Sequence, residues 1–323
     1  MIPDTTDLSY WLNWRFLLCA IFILASVVLG LFLIWKYEGL KRSRRQGRES
    51  QREAAGFLYK DEAWMTCLKG IHPAWLLAYR LIAFLVLLGL LIADAVCNGG
   101  GIFYFYTQWT FSLVVIYFGL GLSLSIYGYH VNRNKFGAVM PSSNMASTLG
   151  VGVDMSNLLK NSNALQEPNA REAAGVWVYI FQIIFQMCAG AVVLTDCVFW
   201  LILYPFLNGK AITLDFLIVC MHSVNAVFLL GDMALNCLRF PMFRFGYFVL
   251  WTSMFVIFQW ILHFCVSMWW PYPFLDLSSP SAPLWYLAVG LMHIPCYGAF
   301  ALVVKLKQLW LSRSFPGSSQ IVR

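Results

Sequence analysis

The sequence predicts an all-α polytopic membrane bundle of about seven transmembrane helices, and three observations carry that prediction. Of 323 residues, 60% are hydrophobic and only 11% are charged, whereas a soluble domain carries roughly 25% charged residues. The apolar residues gather into seven long runs. The basic residues fall almost wholly between alternate runs.

A bilayer core about 30 Å thick takes about 20 helical residues to cross. The runs lie at about 16–36, 74–97, 102–130, 176–207, 213–236, 244–269 and 283–307. In lipid every backbone N–H and C=O must be bonded within its own segment, so the runs are read as helices. No short alternating strands suggest a barrel. The first run, FLLCAIFILASVVLGLFLIWK, is too long for a cleavable signal, and basic residues follow it instead of a small-residue cleavage site. It reads as a retained anchor. The second carries Arg80 and ends near Asp94. The third opens on IFYFYTQW. The fourth offers Gln182, Gln186 and Asp196 near one face. The fifth holds His222, Asn225, Asp232 and Asn236 at spacings that share a helical face. The sixth reads RFGYFVLWTSMFVIFQWILHFCVSMWW. The seventh carries His293 two residues before Pro295, which frees a carbonyl one turn earlier.

Charge sets the expected topology. Of the 22 Lys and Arg residues, all but Arg15, Lys210 and Arg80 fall after the first, third, fifth and seventh runs. The positive-inside rule then places the N-terminus outside or lumenal and the C-terminus in the cytosol. Trp and Tyr cluster at both expected boundaries, for example Trp269, Trp270 and Tyr272 outside and Trp35 and Tyr37 inside. The run KRSRRQGR (41–48) reads as a topology determinant touching anionic headgroups. Nucleic acid is not an expected partner. Whether the membrane is endoplasmic reticulum, another endomembrane or the plasma membrane is left open.

The expected organisation is an N-terminal segment with the first span (1–36), a basic cytosolic linker (37–73), a six-span core (74–307) and a cytosolic tail (308–323). The core includes a polar Ser- and Asn-rich loop, 131–173, read as disordered and as a possible docking point for a protein partner. There is no N-x-Ser/Thr acceptor. Nine cysteines occur without a CxxC pair, so no zinc site, other metal or cofactor is expected. Cys97, Cys197 and Cys265 approach the outer face, and their disulfide state is open.

Polar groups inside the membrane are costly, at about 3 kcal/mol or more for a mid-bilayer charge, and mark candidate sites. At 1.5 Å per residue, His222 lies about 14 Å and Thr107 about 8 Å below the outer boundary. Asp94, Asp196, His263 and His293 fall in the same half. The ordinary structural reading is also available for each: a Thr bonding its own helix, a His or Asp232 bonding a neighbour, with Arg239 as one partner for Asp232.

The stretches IHPAWLLAYRLIAFLVLLGLL, IFYFYTQWTFSLVVIYFGLG and CMHSVNAVFLLGD resemble plant transmembrane proteins related to the rolling-stone family. That group is distantly similar to the androgen-induced-gene family of membrane hydrolases. The second resemblance implies a threonine and a histidine two spans later as catalytic pair, acting on fatty-acid esters of hydroxy fatty acids. The threonine falls on Thr107 in YTQW, where Tyr106 replaces the family's leucine; Thr110 is one turn away and is the alternative. The histidine falls on His222 in MHSVN, and the acidic residue beyond it resembles Asp232 in LLGD. Ser223 or Val224 stands where a threonine follows the histidine. A neutral imidazole can take the proton of a threonine hydroxyl. Asp94 or Asp196 would then orient that imidazole, with Asn225 and Asp232 as further supporting candidates. The expectation is an intramembrane Thr/His hydrolase of long-chain lipid esters, with membrane lipids as partners. The competing expectations are a non-enzymatic receptor or scaffold and a transporter, although no DRY-like or NPxxY-like segment and no inverted repeat is visible.

Overall fold

The computed structural model describes residues 4–39, 56–139, 172–207 and 215–320. A short helix α1 (Leu8–Trp11) precedes α2 (Trp14–Ile34), whose first turn is capped by Asn13 Oδ1 accepting from the Phe16 amide at 3.0 Å. Helix α3 (Pro73–Asn98) begins with His72 as cap and proline at its first turn. It stops at Gly99, whose φ of 71° lies in the left-handed region. Then follow α4 (Tyr106–Val139) and α5 (Val176–Val198). A π turn, Phe199–Leu203, extends α5 into the short α6 (Tyr204–Leu207). The fifth span is α7 (Phe216–Met221) plus α8 (Val224–Leu235), and the last two are α9 (Phe245–Cys265) and α10 (Ala282–Ser314).

Seven of these helical segments are long and apolar enough to cross a membrane. The chain is an all-α, multi-pass integral membrane protein. The expected spans match in number and place. Three differ in detail, the seventh running on to Ser314 past the boundary near 307. The third begins at Tyr106 and continues helical to Val139, beyond the boundary near 130. The fifth is interrupted at His222 and Ser223, where backbone angles leave the helical region. The run 41–48, Lys210 and most of the 131–173 loop (140–171) lie outside the described residues.

Burial orders the bundle. Of the apolar window of the fourth span, 56% is buried, against 11% for the first. Helix α5 is therefore the central post, touching α4, α8, α9 and α10, while α2 leans on α9 and α10 at the periphery. Helices α2 and α9 cross through Gly30 and Gly246; a Cβ on Gly246 would stand 2.7 Å from the Gly30 carbonyl oxygen. Small residues permit such backbone approach where lipid supplies no hydrophobic driving force between helices.

Polar bonding concentrates at the end of the bundle that carries most of the arginines. Residues 56–72, from the basic linker, fold under the helices. Isolated bridges join Tyr59 to Ala173, Thr66 to Asn236 and Leu68 to Ser319. Buried Glu62 holds Arg239 at 2.9 Å, and buried Arg244 pairs with Glu38 at 2.6 Å. Gln182 and Gln186 donate to the Arg239 carbonyl at 2.7 and 3.3 Å. Lys307 donates to the carbonyls of Met233 and Asn236 at 2.6 and 2.7 Å. All nine cysteines are free thiols, including Cys97, Cys197 and Cys265.

Candidate functional site

The break in the fifth span has a local cause and a local consequence. Asp215 caps α7 by accepting from the Ile218 amide at 2.8 Å, and α7 lasts only six residues before His222 turns out of the helix. The turn leaves the His222 carbonyl short of its helical partner. The indole of Trp200 donates to it at 2.9 Å. Trp200 and Phe199 sit in the π turn that ends α5, a feature frequent at functional sites. The Phe199 ring stacks on the His222 imidazole with centroids 3.7 Å apart and planes 5° apart. One irregular turn thus holds His222 at both its ring and its backbone carbonyl.

One turn before that π turn stands Asp196. Its Oδ1 lies 3.9 Å from His222 Nδ1, and neither buried atom has a hydrogen-bond partner. That separation exceeds a direct bond but admits one after a small shift. Buried polar atoms with unused bonding capacity are uncommon and call for a reason.

His222 lines a cavity of about 60 Å³ together with Thr107, Thr195, Thr252, Tyr272 and apolar side chains from α5, α9 and α10. Such a volume holds roughly four waters. Thr107 enters at the first turn of α4, and Tyr272 closes the cavity from the loop between α9 and α10. The Tyr106 amide donates to the Tyr272 hydroxyl at 3.0 Å. Burial raises the Tyr272 phenol above its ordinary value, against hydrogen bonds from Thr107 and Tyr106, so it stays a protonated donor at neutral pH. Thr195 donates to Thr110 at 3.3 Å, and the Tyr106 hydroxyl shares a 2.8 Å bond with Thr252.

Not every expected residue joins this cavity. Asp94 is buried at the end of α3, where Asn98 and Gln108 donate to its carboxylate at 2.8 and 3.2 Å. Its bonding capacity is engaged there, so Asp196 is the carboxylate placed to face the imidazole. Asn225 is fully buried next to the break; its Oδ1 accepts from the Ala226 amide at 2.8 Å and its Nδ2 has no partner. Asp232 belongs to a different cluster. It pairs with fully buried Arg80 at 2.7 Å, accepts from Asn236 at 2.7 Å and is bonded by the Tyr117 hydroxyl. Arg239, the other expected partner of Asp232, goes to Glu62 instead. Arg80 also donates to the carbonyls of Ala63 and Gly121 and to Ser125. With each donor engaged, this cluster fastens α3, α4, α8 and the 56–72 segment together. His263 and His293 bond carbonyls of their own helices, Gln259 and Val289, at 2.8 Å.

Pattern reasoning missed Thr195, Thr252, Tyr272 and the Phe199–Trp200 turn. The three hydroxyls lie singly on three different segments, so no spacing links them. Among the described residues no group of three or more His, Cys, Asp or Glu side chains stands ready to hold a metal ion. Compared with known proteins, the chain matches no family model, no curated protein and no solved structure.

Proposed function

We propose that the protein is an intramembrane hydrolase of lipid esters, with Thr107 as nucleophile, His222 as general base and acid, and Asp196 as the carboxylate that orients the imidazole. The observation that carries this reading is the placement of Thr107 and His222 on one cavity, with Asp196 3.9 Å behind the ring.

With Nδ1 turned to Asp196, Nε2 is the atom that takes a proton from the cavity. Thr107 Oγ1 attacks the ester carbonyl carbon and passes its proton to His222. The carbonyl–alkoxy bond then breaks, and the imidazolium returns the proton to the departing alcohol. Water next attacks the acyl-threonine carbonyl carbon and gives a proton to His222. The bond from that carbon to Thr107 Oγ1 breaks, the imidazolium returns the proton to Oγ1, and a carboxylic acid leaves. The Tyr272 hydroxyl beside Thr107 is a donor for the oxygen that becomes negative in each tetrahedral intermediate. Stacking on Phe199 keeps the imidazole from turning away between the two steps, and the Trp200 bond fixes the backbone that carries it.

The test is hydrolysis of nitrophenyl palmitate by the purified full-length protein in detergent. Thr107→Ala and His222→Ala should each lower turnover by about 100-fold or more. A probe that acylates serine and threonine hydrolases should label the wild type and spare Thr107→Ala. Turnover retained by both variants rejects the reading.

A further inference from the structure

A second, larger cavity of about 290 Å³ lies between α2, α9 and α10. Small-molecule sites span roughly 300–1,000 Å³, so it stands at the lower edge of that range. It shares Thr252, Val256, Phe274, Leu275 and Val289 with the cavity of Thr107 and His222, so the two cavities adjoin. Leu29, Leu291 and Ile294 at its rim are exposed on the lipid-facing surface of α2 and α10.

Four of the polar side chains of this larger compartment are engaged. Ser26 donates to the Phe22 carbonyl at 2.9 Å, Thr252 is bonded to Tyr106, His293 Nδ1 to Val289, and Tyr286 to Leu275 and Trp260. Apart from the Ser253 hydroxyl, the Trp285 indole and the second ring nitrogen of His293, what lines the space is hydrocarbon and aromatic carbon. It therefore suits a hydrocarbon chain better than a polar ligand. Gly290 of α10 lines it, and a Cβ there would meet nothing within 4 Å.

We infer that this compartment is a lateral acyl-chain site: a single hydrocarbon chain of an ester substrate enters from the bilayer between α2 and α10 and lays its carbonyl end in the Thr107–His222 cavity. The assignment rests on the reading of that pair as the reacting groups. Two features favour one flexible chain over a rigid ring system. The lining is mostly hydrocarbon and aromatic carbon from three helices, and the compartment it adjoins has a volume of only about 60 Å³.

The experiment fills the groove. Gly290→Trp and Gly290→Ala are purified alongside the wild type, and kcat/KM is measured on nitrophenyl acetate and nitrophenyl palmitate. Gly290→Trp should lower the palmitate-to-acetate selectivity about tenfold, and Gly290→Ala should shift it by less than about twofold. Unchanged selectivity in Gly290→Trp, with the protein still folded by thermal melt, overturns the inference. If the wild type cleaves neither ester, the hydrolase reading fails, and a photoreactive diazirine palmitate decides the groove by itself. Crosslinks to α2 and α10 that Gly290→Trp removes support an acyl site; labelling that Gly290→Trp leaves intact, or that falls elsewhere, overturns it. Should Gly290→Trp not fold, Ala25→Leu on the opposite wall carries the same comparison.

Discussion

His222 Nδ1 and Asp196 Oδ1 face each other at 3.9 Å across the junction of the fourth and fifth spans, and neither buried atom has another hydrogen-bond partner. The break after α7 sets the position of His222, and the π turn after α5 supplies the Phe199 ring that stacks on it.

The carboxylate can be tested without moving the ring. Asp196→Asn keeps the volume and should lower kcat for ester hydrolysis by about 100-fold or more, because an amide neither fixes the tautomer nor stabilises the imidazolium. Asp94→Asn, whose carboxylate serves Asn98 and Gln108, should stay within about threefold of wild type. Equal losses in the two variants would refute the assignment of Asp196.

The Arg80–Asp232 pair should be a structural clamp. Asp232→Asn leaves Arg80 buried without its counter-charge and should destabilise the fold by about 3–5 kcal/mol, read as a lower unfolding midpoint in detergent. Arg80→Met should do the same. The double variant Arg80→Met with Asp232→Leu should recover part of the loss, since it leaves neither charge stranded. Strictly additive losses would show that the two side chains are not coupled.

The α2–α9 crossing depends on two glycines. Gly246→Ala sets a Cβ against the Gly30 backbone oxygen, which cannot rotate away, and should cost about 1–3 kcal/mol. Gly89→Ala, whose Cβ meets nothing within 4 Å, is the control and should be neutral or slightly stabilising. Thermal unfolding of both variants checks the pair; no difference between them would dissolve the close-approach argument.

Orientation is open to thiol labelling. Cys97 and Cys265 are exposed at the end of the bundle away from the arginine cluster. An impermeant maleimide should label both in sealed membranes from the side opposite a C-terminal tag. Buried Cys67 and Cys237 should stay unlabelled until the protein unfolds. Labelling of Cys97 from the same side as the tag would reverse the topology argued from charge.

The spans were legible because bilayer thickness imposes a length that composition displays directly. The alternation of basic segments gave the count a second support. The site was legible only in fragments. His222 and Asp196 stand out as polar groups in apolar runs, but their meeting depends on the helix break, and CMHSVN holds no glycine or proline to announce it. The shared face expected for His222 and Asp232 did not survive that break: one serves the small cavity, the other Arg80. The Arg80–Asp232 pair had a usable signal, since each is a charge well inside a span and needs a partner, but 152 residues separate them. Tyr272 was read as an interfacial anchor, and nothing in its neighbourhood sets it apart from Trp269 or Trp270.

The arginine-rich end of the bundle is fastened by charge-assisted bonds, through Arg80, Arg239, Arg244 and Lys307, whereas the opposite end is joined largely by stacked rings such as His222 on Phe199 and His263 on Trp270. Parting a buried ion pair costs several kcal/mol, but sliding one ring across another costs about 1 kcal/mol. The molecule therefore behaves as a sheaf bound at the stem. Ring contacts at the tips give way before the stem does, except where Tyr10 and Arg15 tie the start of α2 to Asp276 and the Ser278 carbonyl at 3.0 and 2.5 Å.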